Sequence, residues 1–169
     1  MRLVYTFLIL LFTTTNLQAQ IKNVGDEMLA EQIKQSDKSY KLIYVFCNYC
    51  QASQIRYPEV VKATRNNENI DVFFICAQDS LEVVQYTDTC KVTSVMYLIN
   101  QNRKRKLVSF YNPIKATCKY LKKQLGVNSD KMGASDFCIL DKNNKPIAQT
   151  NWEMKDDEYF ELLKPYLSK

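Results

Sequence analysis

Histidine is absent from the 169 residues. That absence removes His-ligated metal sites, catalytic Cys-His pairs and Ser-His-Asp triads together. Glycine and proline are scarce, at three and four residues, which leaves little room for a long linker, and no low-complexity tract occurs. No apolar run reaches the ~20 residues that a membrane-spanning helix needs. The net charge of +5 is only mildly basic, and no interleaving of basic and aromatic residues argues for nucleic acid. The densest basic run, Arg103-Lys104-Arg105-Lys106, lies between two apolar β-like stretches and reads as a solvated hairpin turn.

The composition, 46% hydrophobic and 24% charged, is that of a globular chain, and the length suits one domain. The first nineteen residues stand apart. Arg2 supplies a positive start, Leu3 to Phe12 is apolar but for Thr6, and Leu17-Gln18-Ala19 offers a small residue at a cut. This pattern predicts a signal peptide over 1–19 and an exported domain over 20–169. Leu17 departs from the small-x-small rule. No cysteine follows the cut, so a lipoprotein anchor is not supported. The expected location is periplasmic or secreted, with no membrane span after cleavage. Removing Met1 to Ala19 takes away only Arg2, so +5 becomes +4.

Spacing then sets the elements. Asp26 to Ser36 reads as a helix with Met28, Leu29 and Ile33 on one face. Tyr40 to Phe46 and Asp71 to Ala77 read as buried strands. Between them, Ala52 to about Asn66 reads as a helix interrupted by Pro58. Ser80 is positioned to cap a helix through about Cys90. Two strand-strand-helix units follow. The first runs Val95–Ile99, Leu107–Phe110, then a helix with Asn112 as cap, Pro113 at its first position and Gly126 at its end. The second runs Phe137–Leu140, Ile147–Thr150, then a helix over Asp156 to Leu167. The early strand-helix-strand order implies parallel pairing and the late hairpins antiparallel edges. The expected fold class is therefore α/β, a mixed sheet with helices on both faces.

The chain has six cysteines: Cys47, Cys50, Cys76, Cys90, Cys118 and Cys138. An exported chain can keep disulfides. Cys76 and Cys138 fall inside core strands and Cys118 on an apolar helix stripe, where buried thiols are common. Cys90 is the best placed for a structural bridge, but spacing does not give pairing. Cys47-Asn48-Tyr49-Cys50 is a Cys-x-x-Cys after a strand, a redox signal in an α/β chain.

From Ile43 to Val60 the chain resembles the active-site segment of thioredoxins and of exported, periplasmic thiol-disulfide oxidoreductases. Those families carry an apolar strand, Trp-Cys-x-x-Cys opening a helix, and a proline five residues beyond the second cysteine. Here Pro58 lies eight residues past Cys50. Counting back five gives Ser53, so Tyr49 takes the Trp position, Cys50 the first cysteine and Ser53 the second. The resemblance implies a thioredoxin-like fold and a degenerate Cys-x-x-Ser site, with the helix starting near Cys50. Residues 80–130 are then a possible insertion or extra strand-strand-helix unit. A family cis-proline facing the active cysteine is missing. Met96, in Ser94–Ile99, and Ser135, before Phe137–Leu140, are the two candidates for that substrate-facing place. A peroxiredoxin site, Thr-x-x-Cys, fits poorly, because Cys47 stands three residues before Cys50.

A cysteine at a helix start has its thiolate stabilised by free N–H groups and the positive helix end, and thiolate is the attacking species in disulfide exchange. The expected activity is exchange on thiols or disulfides of other exported proteins, with Cys50 as nucleophile, Cys47 as a second thiol and Ser53 as a hydrogen-bond donor. No cofactor or metal is called for. The alternatives are a static Cys47–Cys50 bridge and a catalytically degenerate thioredoxin-like binding or structural module.

Overall fold

The computed structural model describes residues 20–77, 86, 94–99 and 113–167. Residues 1–19, Cys90, the helix expected from Ser80 (Tyr86 apart), the Arg103–Lys106 turn and the Leu107–Phe110 strand lie outside the described residues.

Four consecutive elements organise the molecule. The helix α1 spans Asp26–Gln35, and its Leu29, Ala30 and Ile33 recur at helical spacing and are buried. The strand β2, Tyr40–Phe46, is buried along nearly its whole length, as a central strand must be when both faces are covered. The helix α2, Gln51–Thr64, buries Ser53, Arg56, Tyr57, Val60, Val61 and Thr64. The strand β3, Ile70–Cys76, then pairs with β2 in parallel, Tyr40 against Ile70 through Phe46 against Cys76.

The sheet among the described residues has six strands in the order β1-β4-β3-β2-β5-β6. β1 is Gln20–Val24 and β4 is Val95–Ile99, paired in parallel. β5, Phe137–Asp141, runs antiparallel to β2, and β6, Pro146–Gln149, closes a hairpin with β5. The helix α3, Pro113–Leu125, ends at Gly126, whose φ of 70° is the left-handed cap that glycine adopts without strain. The helix α4, Asp156–Leu163, runs into a 3-10 turn, Lys164–Tyr166. β1 is an element that the sequence reading omits.

Side chains of β2 alternate between two cores. Ile43 and Val45 join Leu29 and Ile33 of α1 and Cys118 and Leu121 of α3 on one face. Leu42, Tyr44 and Phe46 join Tyr57 and Val60 of α2 and Tyr159 and Leu163 of α4 on the other. Helices therefore cover both faces, as the sequence pattern implies. The strand that antiparallel-pairs with β2 is β5, whereas β4 sits between β1 and β3. At the start of β2, Lys41 is fully buried, and its ammonium donates to the Asp141 and Lys142 carbonyls at 3.3 and 3.1 Å and to Asn144 Oδ1 at 2.9 Å. That contact fixes the hairpin turn at the sheet end remote from Cys50.

Candidate active site around Cys50

β2 delivers the chain to a turn at the carboxyl end of the sheet. The Cys50 N–H donates to the Cys47 carbonyl at 3.2 Å, closing Cys47-Asn48-Tyr49-Cys50 into a β-turn. α2 begins at Gln51, with Cys50 as its N-cap residue in extended conformation, φ −93° and ψ 115°. The first helical bond runs from Gln54 N–H to the Cys50 carbonyl at 3.1 Å. The helix thus starts where the position of Pro58 places it. The Cys50 side chain makes no capping hydrogen bond, and as the N-cap residue Cys50 stands at the positive end of the helix. Cys50 is half-buried, Cys47 is buried and Tyr49 is exposed.

Ser53 has no exposed surface. Its Oγ accepts the Cys47 N–H at 3.3 Å, tying the turn to the inner face of α2. The turn is braced from outside as well: Gln54 Nε2 donates to the Asn48 carbonyl at 2.6 Å, and the Tyr86 hydroxyl to the Gln54 carbonyl at 2.7 Å. Beneath it Tyr44 is fully buried. Its hydroxyl lies beside Ser53 but meets hydrogen-bond geometry with no described group. Burial raises that phenol well above its usual range, so it stays protonated. Tyr44, Phe46, Tyr57, Phe74 and Tyr86 stack in edge and tilted pairs under the helix start, with centroids 5.0 to 6.4 Å apart.

Met96 and Ser135 are placed very differently. Met96 is wholly buried in the core shared with α2, opposite Phe74. Ser135 lies at the entry to β5, next to the strand that leads to Cys50. Its N–H donates to the Val45 carbonyl at 2.8 Å, and Val45 N–H donates to the Asp136 carbonyl at 2.9 Å. Among the described residues no peptide bond is cis, and Ser135 instead holds a left-handed φ of 71°.

The arrangement of helices and strands around this turn superimposes on solved structures. A thioredoxin-related protein from Neisseria meningitidis serogroup B superimposes with a TM-score of 0.53 at 11% identity, over 81% of this chain and 91% of that one. The thioredoxin domain of a thiol-disulfide oxidoreductase from Bacteroides vulgatus does so with a TM-score of 0.52 at 11% identity, over 78% and 81%. A thiol:disulfide interchange protein of the thioredoxin family from Chlorobium tepidum gives 0.51 at 13% identity, over 82% and 85%. The fold is thioredoxin-like. No protein-family model and no curated protein sequence matches the chain.

In this thioredoxin-like frame the site reads Cys50-Gln51-Ala52-Ser53. No disulfide joins two described cysteines, so the static Cys47–Cys50 bridge is not the state seen here. Among the described residues no cluster of three Cys, Asp or Glu side chains could hold a metal ion. Cys76, Cys118 and Cys138 are buried in the cores. Desolvation pushes the Cys118 thiol up to about 11, with the Asp136 carboxyl adding to the rise, and desolvation alone pushes Cys138 up to about 12. At pH 8 roughly a thousandth or less of either is thiolate. Brief iodoacetamide treatment of the native protein should therefore label Cys50 and spare Cys118 and Cys138, as read by peptide mass spectrometry. Labelling of those two at the Cys50 rate would contradict the burial described.

Sequence reasoning did not find Arg56 or Tyr44. Both are buried against the helix start, and neither carries a local signal in the chain.

Proposed function

We propose that the chain is an exported thiol-disulfide exchange protein in which Cys50 is the nucleophile and Cys47 the resolving thiol. One observation carries the reading: Cys50 is the half-buried N-cap residue of α2, and its side chain makes no capping hydrogen bond. The likeness of the fold to thiol-disulfide oxidoreductases supports it, as does the leader-like segment Met1 to Ala19.

Cys50 thiolate attacks one sulfur of a substrate disulfide, forming a mixed disulfide and releasing the other sulfur as thiolate, which takes up a proton. Cys47 thiolate then attacks the Cys50 sulfur. A Cys47–Cys50 disulfide forms and the second substrate thiol leaves. The substrate gains two electrons and the protein dithiol loses them, to be restored by an external dithiol reductant. The β-turn supports the second step: its ends lie within ~7 Å, which overlaps the ~4.4–6.8 Å that a disulfide spans between Cα atoms. Ser53 cannot resolve the adduct, since its hydroxyl is no leaving or attacking group for sulfur.

Cys47→Ser should strand the reaction at its first stage. Incubated with a disulfide-linked peptide, that variant should accumulate a covalent adduct on Cys50, measured by intact mass, while the natural protein releases it. If no adduct forms on Cys50, exchange is lost as a reading and the domain is a thioredoxin-like binding module.

A further inference from the structure

The turn that carries both thiols is held from two sides. Its residues are Cys47, Asn48, Tyr49 and Cys50, closed by the Cys50 N–H on the Cys47 carbonyl at 3.2 Å. On the inner side the Cys47 N–H donates to Ser53 Oγ at 3.3 Å. On the outer side Gln54 Nε2 donates to the Asn48 carbonyl at 2.6 Å. Gln54 is itself fixed at both backbone groups. Its N–H donates to the Cys50 carbonyl at 3.1 Å, and its carbonyl accepts the Tyr86 hydroxyl at 2.7 Å.

The Asn48 carbonyl belongs to the central peptide of the turn, the group that rotates when a β-turn changes type or opens. Type II is excluded, because it needs a positive φ at Tyr49, and among the described residues Ser135 and Asn144 are the only non-glycine residues of positive φ. Opening is the freedom that remains, and a donor on that carbonyl opposes it. Helix propensity does not ask for an amide at position 54. The side chain is exposed on α2, where alanine, leucine, lysine or glutamate would extend a helix as well. A carboxylate there has no proton to donate to a carbonyl, and it would bring negative charge toward a thiolate at the helix start.

Closure matters to one step of the exchange. Attack of Cys50 on an outside disulfide uses the Cys50 sulfur alone. Attack of Cys47 on the mixed disulfide needs both ends of the turn within the span of a disulfide. A dithiol whose turn opens visits geometries from which that attack fails, and its effective concentration falls. We propose that Gln54 is a positioning residue for the resolving step: by holding the Asn48 carbonyl it keeps the Cys47–Cys50 turn closed, and so sets the rate at which Cys47 displaces substrate from Cys50. The inference rests on the exchange reading and deepens it. In that step a Cys47–Cys50 bond forms, the bond from Cys50 to the substrate sulfur breaks, and its electron pair leaves on the substrate thiolate, which takes up a proton. Gln54 neither gives nor takes a proton.

The test follows the reduced full chain through one turnover with a disulfide-linked peptide, quenched in acid and read by intact mass. Gln54→Met keeps the length and the helix propensity and deletes the donor. It should form the Cys50 adduct, and be alkylated at Cys50 by iodoacetamide, at the rates of the parent. It should release the adduct roughly fivefold more slowly, as loss of one hydrogen bond implies. The equilibrium of the Cys47–Cys50 disulfide with glutathione should move by a similar factor toward the dithiol, because open turns then compete with the closed one. Gln54→Lys, which keeps an N–H donor on a long side chain, should recover part of both changes. In the Cys47→Ser background Gln54→Met should leave adduct formation unaltered. Release and equilibrium unchanged in Gln54→Met overturn the positioning role while exchange stands. Alkylation and adduct formation slowed as much as release overturn it too, since Gln54 would then act on Cys50 itself. A Cys47→Ser protein that alkylates at Cys50 but forms no peptide adduct overturns both readings.

Discussion

Ser135→Pro is expected to destabilise the domain by about 3 kcal/mol or more. Resemblance to the exported oxidoreductases invites the opposite expectation, since a proline is their hallmark at this place. The backbone here is built differently. Ser135 has φ 71°, whereas the pyrrolidine ring locks φ near −65°. Proline also lacks the N–H that donates to the Val45 carbonyl at 2.8 Å, so a buried acceptor loses its partner. The hydroxyl oxygen that takes Arg56 Nη1 goes as well. Rearrangement to accept the ring would pull the Ser135 carbonyl from the Tyr159 hydroxyl, which is itself buried. Urea unfolding of Ser135→Pro beside Ser135→Gly measures this. Glycine tolerates φ above zero and should sit near or above the parent in midpoint. A proline variant as stable as the parent would mean the turn is free to change, and that Arg56 and Tyr159 do not hold it.

The parts of this molecule that were legible in sequence are those fixed by local pattern. Tyr40 to Phe46 is apolar but for Lys41, and six of its seven residues are buried, and Pro58 dates the helix start because a proline inside a helix has few tolerated places. Gly126 and Pro113 mark the two ends of α3 for equally local reasons. What escaped is what long-range contact decides. Gln20–Val24 is polar and short, and becomes a strand only by pairing with β4. The place of β4 between β1 and β3 follows from strand order, which periodicity does not encode. Arg56 looks like a solvent-facing helix residue until Asp156, Met154 and Ser135 arrive from the far end of the chain. Ser135 carries no turn signature, since serine is not a residue that favours the left-handed region. The choice between Met96 and Ser135 was open in sequence for the same reason, both preceding or entering a strand. Only pairing with β2 sets Ser135 beside Val45 and leaves Met96 in the core.

In the Cys47→Ser background, Ser53→Cys is expected to raise disulfide reductase activity by roughly tenfold or more, because loss of Cys47 leaves release of the mixed disulfide to outside thiols and the introduced thiol makes it intramolecular again. Ser53 lies three residues past the N-cap, one turn along the inner face of α2 from Cys50. A thiol there is shielded from solvent, because the position has no exposed surface. It is therefore protected from outside oxidants yet tethered near any mixed disulfide on Cys50. The substitution has a cost: Ser53 Oγ accepts the Cys47 N–H at 3.3 Å, and sulfur is a larger and weaker acceptor, so about 1 kcal/mol of stability should go with it. Loosening that bond also frees the turn that carries Cys47. The gain must then be separated from any change in Cys47, which is done by measuring Ser53→Cys in the Cys47→Ser background. Insulin reduction reports the rate, and mass spectrometry of the trapped protein reports which sulfurs have joined. The expected result is a recovered rate and a disulfide from Cys50 to the introduced thiol. A rate that stays low while that disulfide forms would place the limit at substrate docking. A protein in which the two sulfurs never join would show that α2 does not present position 53 to Cys50, and would remove Ser53 from the site.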